Sequence, residues 1–309
     1  MARAIRSRAC IRLGGTLHDA QRAGKGPGSA PASGRLSPLP GHASPPWAPL
    51  PDRRDGTARL GAPTRPWHEN CSDLFGVRST SLEKRNEMQQ TAAHEQHNPD
   101  LLRLMPPDAR AVVEVGCSSG ALAREYKRTN SACRYVGIDV SPASVELARR
   151  HCDLVLGLDI EAVDEGYIRT NLSADCWVFG DSLEHLRDPW SLLERVRRTL
   201  APQASVIACI PNAQHWSVQA RLNSGALRYE DEGLLDRTHL RWFTRITIIE
   251  MFLGAGYRID AAFPRIFAHP STDRMIGAVR QMAASMGVDP EMAATDALPL
   301  QYVLRARPG

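Results

Sequence analysis

The residues best suited to chemistry in this 309-residue chain lie in short, widely separated stretches. Asp181, Glu184 and His185 stand at i, i+3 and i+4, so they share a face if that segment is one helical turn. His239 follows His185 by 54 positions, inside Asp236-Arg-Thr-His-Leu-Arg-Trp-Phe-Thr244, a run dense in polar and aromatic groups. Imidazoles titrate near neutral pH, so His185 or His239 can act as a general base. Upstream, Gly116 and Gly120 in Glu114-Val-Gly-Cys-Ser-Ser-Gly120 permit backbone angles and close approaches that a Cβ would block. Asp139 comes 19 residues after Gly120, and a carboxylate there can accept two hydrogen bonds from a sugar diol.

These residues need elements to position them, and the pattern from Pro99 onward supplies strands alternating with helices. Ala111–Val115, Arg134–Ile138, Leu154–Leu156, Cys176–Phe179, Ser205–Ile210, Tyr257–Phe263 and Gln301–Ala306 read as strands. Between them, Ala121–Thr129 and a segment from Pro142 to about His151 read as helices, the second capped by Ser141. Pro189–Leu200 carries apolar residues at helical spacing, and Arg245–Gly254 is amphipathic. This order predicts an α/β, Rossmann-like fold: a seven-stranded, mostly parallel sheet with helices on both faces and an antiparallel last strand. Ligands of such sheets sit beyond the carboxyl ends of the strands, where Glu114–Gly116, Asp139, Asp159, Gly180-Asp181 and Pro211-Asn212 fall.

A loop of this kind followed by an acid at the end of strand two suits two cofactor classes. The dinucleotide fingerprint needs three glycines in G-x-G-x-x-G, and no register of residues 116–121 supplies them. The stretch instead resembles the E/D-x-G-x-G-x-G loop of class I S-adenosylmethionine-dependent methyltransferases, with Ser118 at the middle glycine. The likeness runs through most of residues 97–263. Val136–Pro142 is similar to the family's second motif, and Asp181–Pro189 resembles the segment after strand four in the ubiquinone-type O-methyltransferase branch. This resemblance implies S-adenosyl-L-methionine as cofactor, contacted by Glu114, Gly116, Ser118, Gly120, Asp139, Val140, Asp159, Ile160 and Gly180. It implies transfer to a hydroxyl of a small molecule, with His185, His239 and Asp181 as catalytic candidates; the alternatives are RNA 2′-O-methylation at a divalent-metal site and a non-catalytic protein that binds S-adenosylmethionine.

The same segments also resemble the metal-binding layout of small-RNA 2′-O-methyltransferases, E-x-x-E-H followed by a distant histidine. Carried over, Asp181, Glu184, His185 and His239 become ligands of one divalent ion, zinc suiting the mixed donors better than magnesium. Two other readings stand beside it: a metal-free acid/base site, and a structural turn in which Glu184-His185 orient the connection and Asp188-Pro189 start the next helix. Arg237 and Arg241 either hold an anionic substrate or pair with Asp231 and Glu232. Residues 213–243 read as an acceptor-recognition insertion, with Trp216 lining the pocket and Trp242-Phe243 in the core. His94–Leu102 reads as a lid helix. Residues 271–296 read as a helical cover whose Met275, Met282 and Met286 pack, and Cys117 is a packing residue.

Composition bounds the remainder. Residues 1–66 hold ten of the 22 prolines, nine of the 23 glycines and a net charge of +8, leaving the rest of the chain at −4. The globular part is therefore acidic, which argues against a nucleic-acid partner. Residues 1–87 read as a Pro/Gly/Arg-rich disordered extension, because so little apolar surface cannot offset the ordering entropy; 88–309 form the methyltransferase domain. A purine-rich codon run at Glu83–Arg85 makes Met88 an alternative start, which N-terminal sequencing of native protein would contradict by finding a mature chain that begins well before it. Residues 1–18, Arg-rich and poor in acids, are the alternative basis for a mitochondrial address. Seven scattered cysteines without a C-x-x-C suit a reducing, cytoplasmic compartment. No run of 18 apolar residues suggests a membrane span.

Overall fold

The computed structural model describes residues 95–309, so the expectations placed on residues 1–87 lie outside the described part. Within it, seven strands alternate with helices: α1 (Pro99–Leu104), β1 (Ala111–Val115), α2 (Ala121–Thr129), β2 (Arg134–Asp139), α3 (Pro142–Ala148), β3 (Leu154–Gly157), α4 (Glu165–Asn171), β4 (Cys176–Gly180), α5 (Pro189–Thr199), β5 (Ser205–Pro211), α6 (Trp216–Asn223), α7 (Arg245–Gly254), β6 (Tyr257–Arg265), α8 (Thr272–Ser285), α9 (Pro290–Ala297) and β7 (Gln301–Pro308). They form one sheet in the order β3-β2-β1-β4-β5-β7-β6. The first five strands pair in parallel, and β7 runs antiparallel between β5 and β6. This is the Rossmann-like fold that the alternation implies. The order reverses between β1 and β4, where such sheets open a crevice for ligands.

Both faces of the sheet are covered. On one, Val113, Val115, Trp177 and Phe179 pack with Leu192 and Leu193 of α5 and Ile248 and Phe252 of α7. On the other, Val112, Tyr135, Cys176 and Val178 pack with Leu101 of α1 and Leu122 and Tyr126 of α2. Two-sided burial explains why the parallel strands read as continuous apolar runs. Helix starts follow local chemistry: the Ser141 and Asp188 side chains accept amide hydrogen bonds at the first turns of α3 and α5, each with proline in the first turn. Thr244 and Thr247 cap α7 reciprocally.

Some expectations change. α3 stops at Ala148, and residues 149–151 continue as turn. The cover at 271–296 is two helices, α8 and α9, joined through Gly287 in the left-handed region. Ile276 and Val279 of α8 meet Ala294 and Ala297 of α9, with Trp216 against them. Met282 and Met286 are exposed rather than packed: Met282 flanks this small core, and Met286 lies past the last residue of α8.

The core is tight where the first loop crosses β2. A Cβ built on Gly137 would lie 2.7 Å from Cys117 Sγ and 3.1 Å from Cys152 Sγ. Gly137→Ala should therefore cost about 1–3 kcal/mol, as overpacking does, and Cys117→Ala in the same chain should recover part of it. Thermal denaturation checks this; an unchanged midpoint for the single variant contradicts the packing account.

Candidate active site

The first loop is built from three left-handed residues. Gly116, Ser118 and Gly120 have φ of +75°, +49° and +76°. Glycines at 116 and 120 adopt these angles without cost, whereas Ser118 carries a side chain in a region that costs L-residues about 1–2 kcal/mol. The turn is held by Gly116 and Cys117 amides donating to the Ile138 carbonyl, 2.8 and 3.1 Å. Gly120 supplies no side-chain acceptor for the first amides of α2. Cys117 is buried, and burial raises its thiol, as befits a packing residue.

Asp139 ends β2 and ties two loops together. Its Oδ2 accepts from the Ser118 amide and its Oδ1 from the Ser141 amide, both at 2.9 Å. A carboxylate has about four acceptor sites, so each oxygen keeps capacity for a further donor. Glu114, one strand over, is buried and accepts from Tyr135 OH at 2.8 Å. Burial pushes its carboxyl up to about 8, only partly opposed by that hydrogen bond. Val140 is exposed and Ile160 buried. Asp159 caps a short 3-10 turn at Ile160–Ala162 and pairs with Arg187 at 2.6 Å. Gly180 closes β4 under α1, where a Cβ would lie 2.8 Å from Leu101 Cδ1.

Beyond β4 the expected single helical turn does not form. Only Leu183–His185 wind, as 3-10 helix, and Asp181 precedes them in the left-handed region at φ +51°. The Asp181 carboxylate accepts from Gln301 Nε2 at 2.5 Å. Gln301 Oε1 in turn accepts from Arg265, whose Nε donates to Asp100 at 3.0 Å. The structure thus gathers three of the four expected metal ligands, Glu184, His185 and His239, whose ligating atoms lie within 4.8 Å of one another; Asp181 stands outside that group.

Glu184 is 1% exposed, and neither carboxylate oxygen has a hydrogen-bond partner among the described residues. Its Oε1 lies 4.0 Å from His239 Nε2. Burial, reinforced by the charges of Asp181 and Asp236, drives its carboxyl well above the usual range. Burial lowers both His185 and His239, and the neighbouring ring lowers His239 further. The rings meet edge-on, 4.8 Å between centroids. The Glu184 carbonyl accepts from Leu240 and Arg241 amides at 2.8 and 2.9 Å, which brings the 236–244 segment onto this turn.

The remaining expectations divide. Arg237 pairs with Asp231 at 2.5 Å, while Arg241 donates to the Arg187 carbonyl. Phe243 is buried, but Trp242 is 39% exposed. Trp216 packs between the His215 and His269 rings, at 5.1 and 5.2 Å. Asn212 is fully buried and donates to the Asp296 and Pro299 carbonyls at 2.8 Å, fixing the approach to β7. Asp296 grips Arg245 through two bonds of 2.6 and 2.9 Å. Neither Asp296 nor Gln301 was marked by the sequence, since their partners lie 51 and 120 positions away.

Residues 87–262 match the family model described as a methyltransferase domain. The chain belongs to that family. This methyltransferase is also 32% identical over 111 residues to the carboxy-S-adenosyl-L-methionine synthases of Salmonella arizonae and Klebsiella pneumoniae. Those matches cover 34% of this chain and 44% of each synthase, so the methyltransferase spans less than half the length of these curated relatives. Solved structures similar to it include S-adenosylmethionine-dependent methyltransferases from Mesorhizobium loti (16% identity, TM-score 0.45, 68% of this chain and 96% of that one) and Archaeoglobus fulgidus (15%, 0.45, 64% and 86%). Membership of this family agrees with the likeness that the sequence carries to class I S-adenosylmethionine-dependent methyltransferases. No helix among the described residues is long and apolar enough to cross a membrane.

The raised Glu114 carboxyl sets a pH dependence. A folded-state value of about 8 against an ordinary 4.5 means the folded chain holds a proton that the unfolded chain has lost between those limits. Its contribution to stability is full below about 4.5 and is lost as pH rises through about 8. Glu114→Gln, which keeps an acceptor for Tyr135, should flatten the fall in melting temperature between those limits. Parallel slopes for both proteins contradict this.

Proposed function

We propose that this methyltransferase O-methylates a hydroxyl of a small-molecule acceptor seated against Glu184, His185 and His239. The observation that carries the reading is a buried, unpartnered carboxylate beside two pKa-lowered imidazoles, just past the carboxyl end of β4. Perturbed groups of this kind collect where proton transfer is needed. Histidines kept neutral by burial are ready to accept a proton near pH 7.

S-adenosylmethionine supplies, when bound, a methyl group on a positively charged sulfur that a nucleophilic oxygen can attack. The residues of the first loop fit that molecule. The glycines at 116 and 120 leave bare backbone, and the first amides of α2 face the same turn without a side-chain cap. Asp139 has acceptor capacity for both ribose hydroxyls. We assign Glu114, Gly116, Ser118, Gly120, Asp139, Val140, Ile160 and Gly180 to this pocket; Asp159 joins them only if its contact with Arg187 opens.

In this mechanism His185 or His239 takes the acceptor's hydroxyl proton as the new C–O bond forms and the C–S bond breaks. The products are a methyl ether, S-adenosylhomocysteine and a protonated imidazole that passes its proton to solvent. Holding acceptor and methyl in line contributes roughly 7–11 kcal/mol, and the base adds roughly 10²–10⁴-fold.

A second reading is favoured by Glu184 alone. A buried carboxylate without hydrogen bonds is costly unless it stays protonated or binds a cation. Glu184, His185 and His239 fit a zinc ion in their mix of oxygen and nitrogen donors. Such an ion would polarise the acceptor oxygen.

Titration with S-adenosylhomocysteine should show Asp139→Ala binding about 10–100-fold more weakly, the worth of hydrogen bonds to a charged group; equal affinity contradicts the pocket. Radiolabelled methyl transfer into cell extract should fall about 10²–10⁴-fold in both His185→Ala and His239→Ala, and full turnover by both removes them from the reaction. Elemental analysis of the purified full chain should find about one zinc per chain, lost in Glu184→Gln, if the second reading holds. A metal-free chain with turnover unaffected by chelator contradicts it.

A further inference from the structure

His185 is held from behind by a short chain of hydrogen bonds that ends on a buried acid. Its Nδ1 lies 3.2 Å from the Thr238 carbonyl and 3.0 Å from the Thr238 hydroxyl oxygen. The carbonyl can only accept, so the hydrogen must sit on Nδ1. The hydroxyl is compatible, because its own proton is directed elsewhere: Thr238 Oγ1 donates to Asp236 Oδ1 at 2.7 Å. The same Asp236 oxygen accepts from the Thr238 amide, also at 2.7 Å, which fixes the threonine backbone and side chain together. Asp236 is 4% exposed, so solvent does not loosen these bonds.

The order of donors along this chain is therefore determined. Asp236 orients the hydroxyl proton away from the ring, the hydroxyl oxygen and the carbonyl face Nδ1–H, and Nε2 is left as the ring atom with a lone pair. That atom is the one His185 can offer to the group formed with Glu184 and His239. The edge-on His239 ring restricts rotation of the imidazole from the front.

We propose that Asp236 and Thr238 are positioning residues that lock His185 in the tautomer with its proton on Nδ1, so that Nε2 carries the lone pair used at the acceptor site. The inference rests on the proposed role of His185 in methyl transfer, yet the tautomer itself is independent of any acceptor. Removing Asp236 has a particular consequence. The Thr238 hydroxyl is then no longer directed to an acceptor on its own loop and can turn its proton toward Nδ1, which favours the opposite tautomer. A residue that merely filled space would not change where the imidazole proton sits.

Long-range proton–nitrogen correlation spectra of the full chain labelled with ¹⁵N-histidine read the tautomer directly, with His185→Gln assigning the signal. The wild-type chain should show a protonated Nδ1 and an unprotonated Nε2 at His185. Asp236→Ala, which frees the Thr238 hydroxyl to donate to Nδ1, should populate the other tautomer and lower methyl transfer into cell extract about 10–100-fold, with KM for S-adenosylmethionine unchanged. Adding Thr238→Val to Asp236→Ala removes that donor and keeps the carbonyl acceptor, so the double variant should recover the Nδ1-protonated signal and part of the turnover. A wild-type His185 protonated on Nε2 overturns the proposal without touching the cofactor pocket. So does an Asp236→Ala chain with wild-type tautomer and turnover. If Asp236→Ala shifts the tautomer while turnover stays at the wild-type level, the lock exists but does not serve the reaction, and the positioning role is rejected.

Discussion

The carboxyl edge of the sheet depends on how one carboxylate joins two loops. Asp139 sits at the end of β2 and receives an amide from each side, Ser118 from the loop after β1 and Ser141 from the cap of α3. Hydrogen bonds to a charged acceptor are the stronger kind. These two fix the first loop in a conformation with three left-handed positions, one of them the non-glycine Ser118. The loop then stands against β4, where Gly116 lies close to Ser182 and a Cβ would be 3.1 Å from it. The turn bearing Glu184 and His185 begins at that serine.

A second constraint opposes the first in character. Glu184 is a carboxylate that the fold desolvates and gives no donor among the described residues. Stability alone would favour an apolar residue there, since unpaired buried polar groups cost free energy. The surrounding structure nevertheless anchors this turn with care. The Glu184 carbonyl receives two amides from the 240–241 segment, and His185 receives two contacts from Thr238. Asn212 draws the β5 terminus, the α9–β7 connection and, through its bridge to Phe243, the end of the same segment together. The loop between α6 and α7 thus returns to the β4 turn for reasons of geometry that core packing does not require.

Much of this was legible in the sequence. Apolar runs located the five parallel strands to within one residue at their ends, because two-sided burial of the central ones leaves a continuous apolar signal. The helix starts at Ser141 and Asp188 were equally plain, being local chemistry. The candidate site was read with less success where conformation, not composition, decides. Asp181 looked like part of a helical face, but its left-handed backbone and its bond to Gln301, 120 residues later, take it out of the group. Spacing cannot reveal a residue whose partner lies on another strand. The same holds for Asp296 with Arg245, and for Asp236, whose importance lies in the direction of one hydroxyl proton. Met282 and Met286 were expected to pack because of their type, yet both are exposed, Met286 past the end of α8.

A crystal structure of the full chain with S-adenosylhomocysteine tests the central claim most directly. The account predicts both ribose hydroxyls within hydrogen-bonding distance of Asp139 and the sulfur turned toward Glu184, His185 and His239. A nucleoside bound away from the 114–120 loop, or a sulfur facing away from that group with the histidines screened from it, would contradict the account.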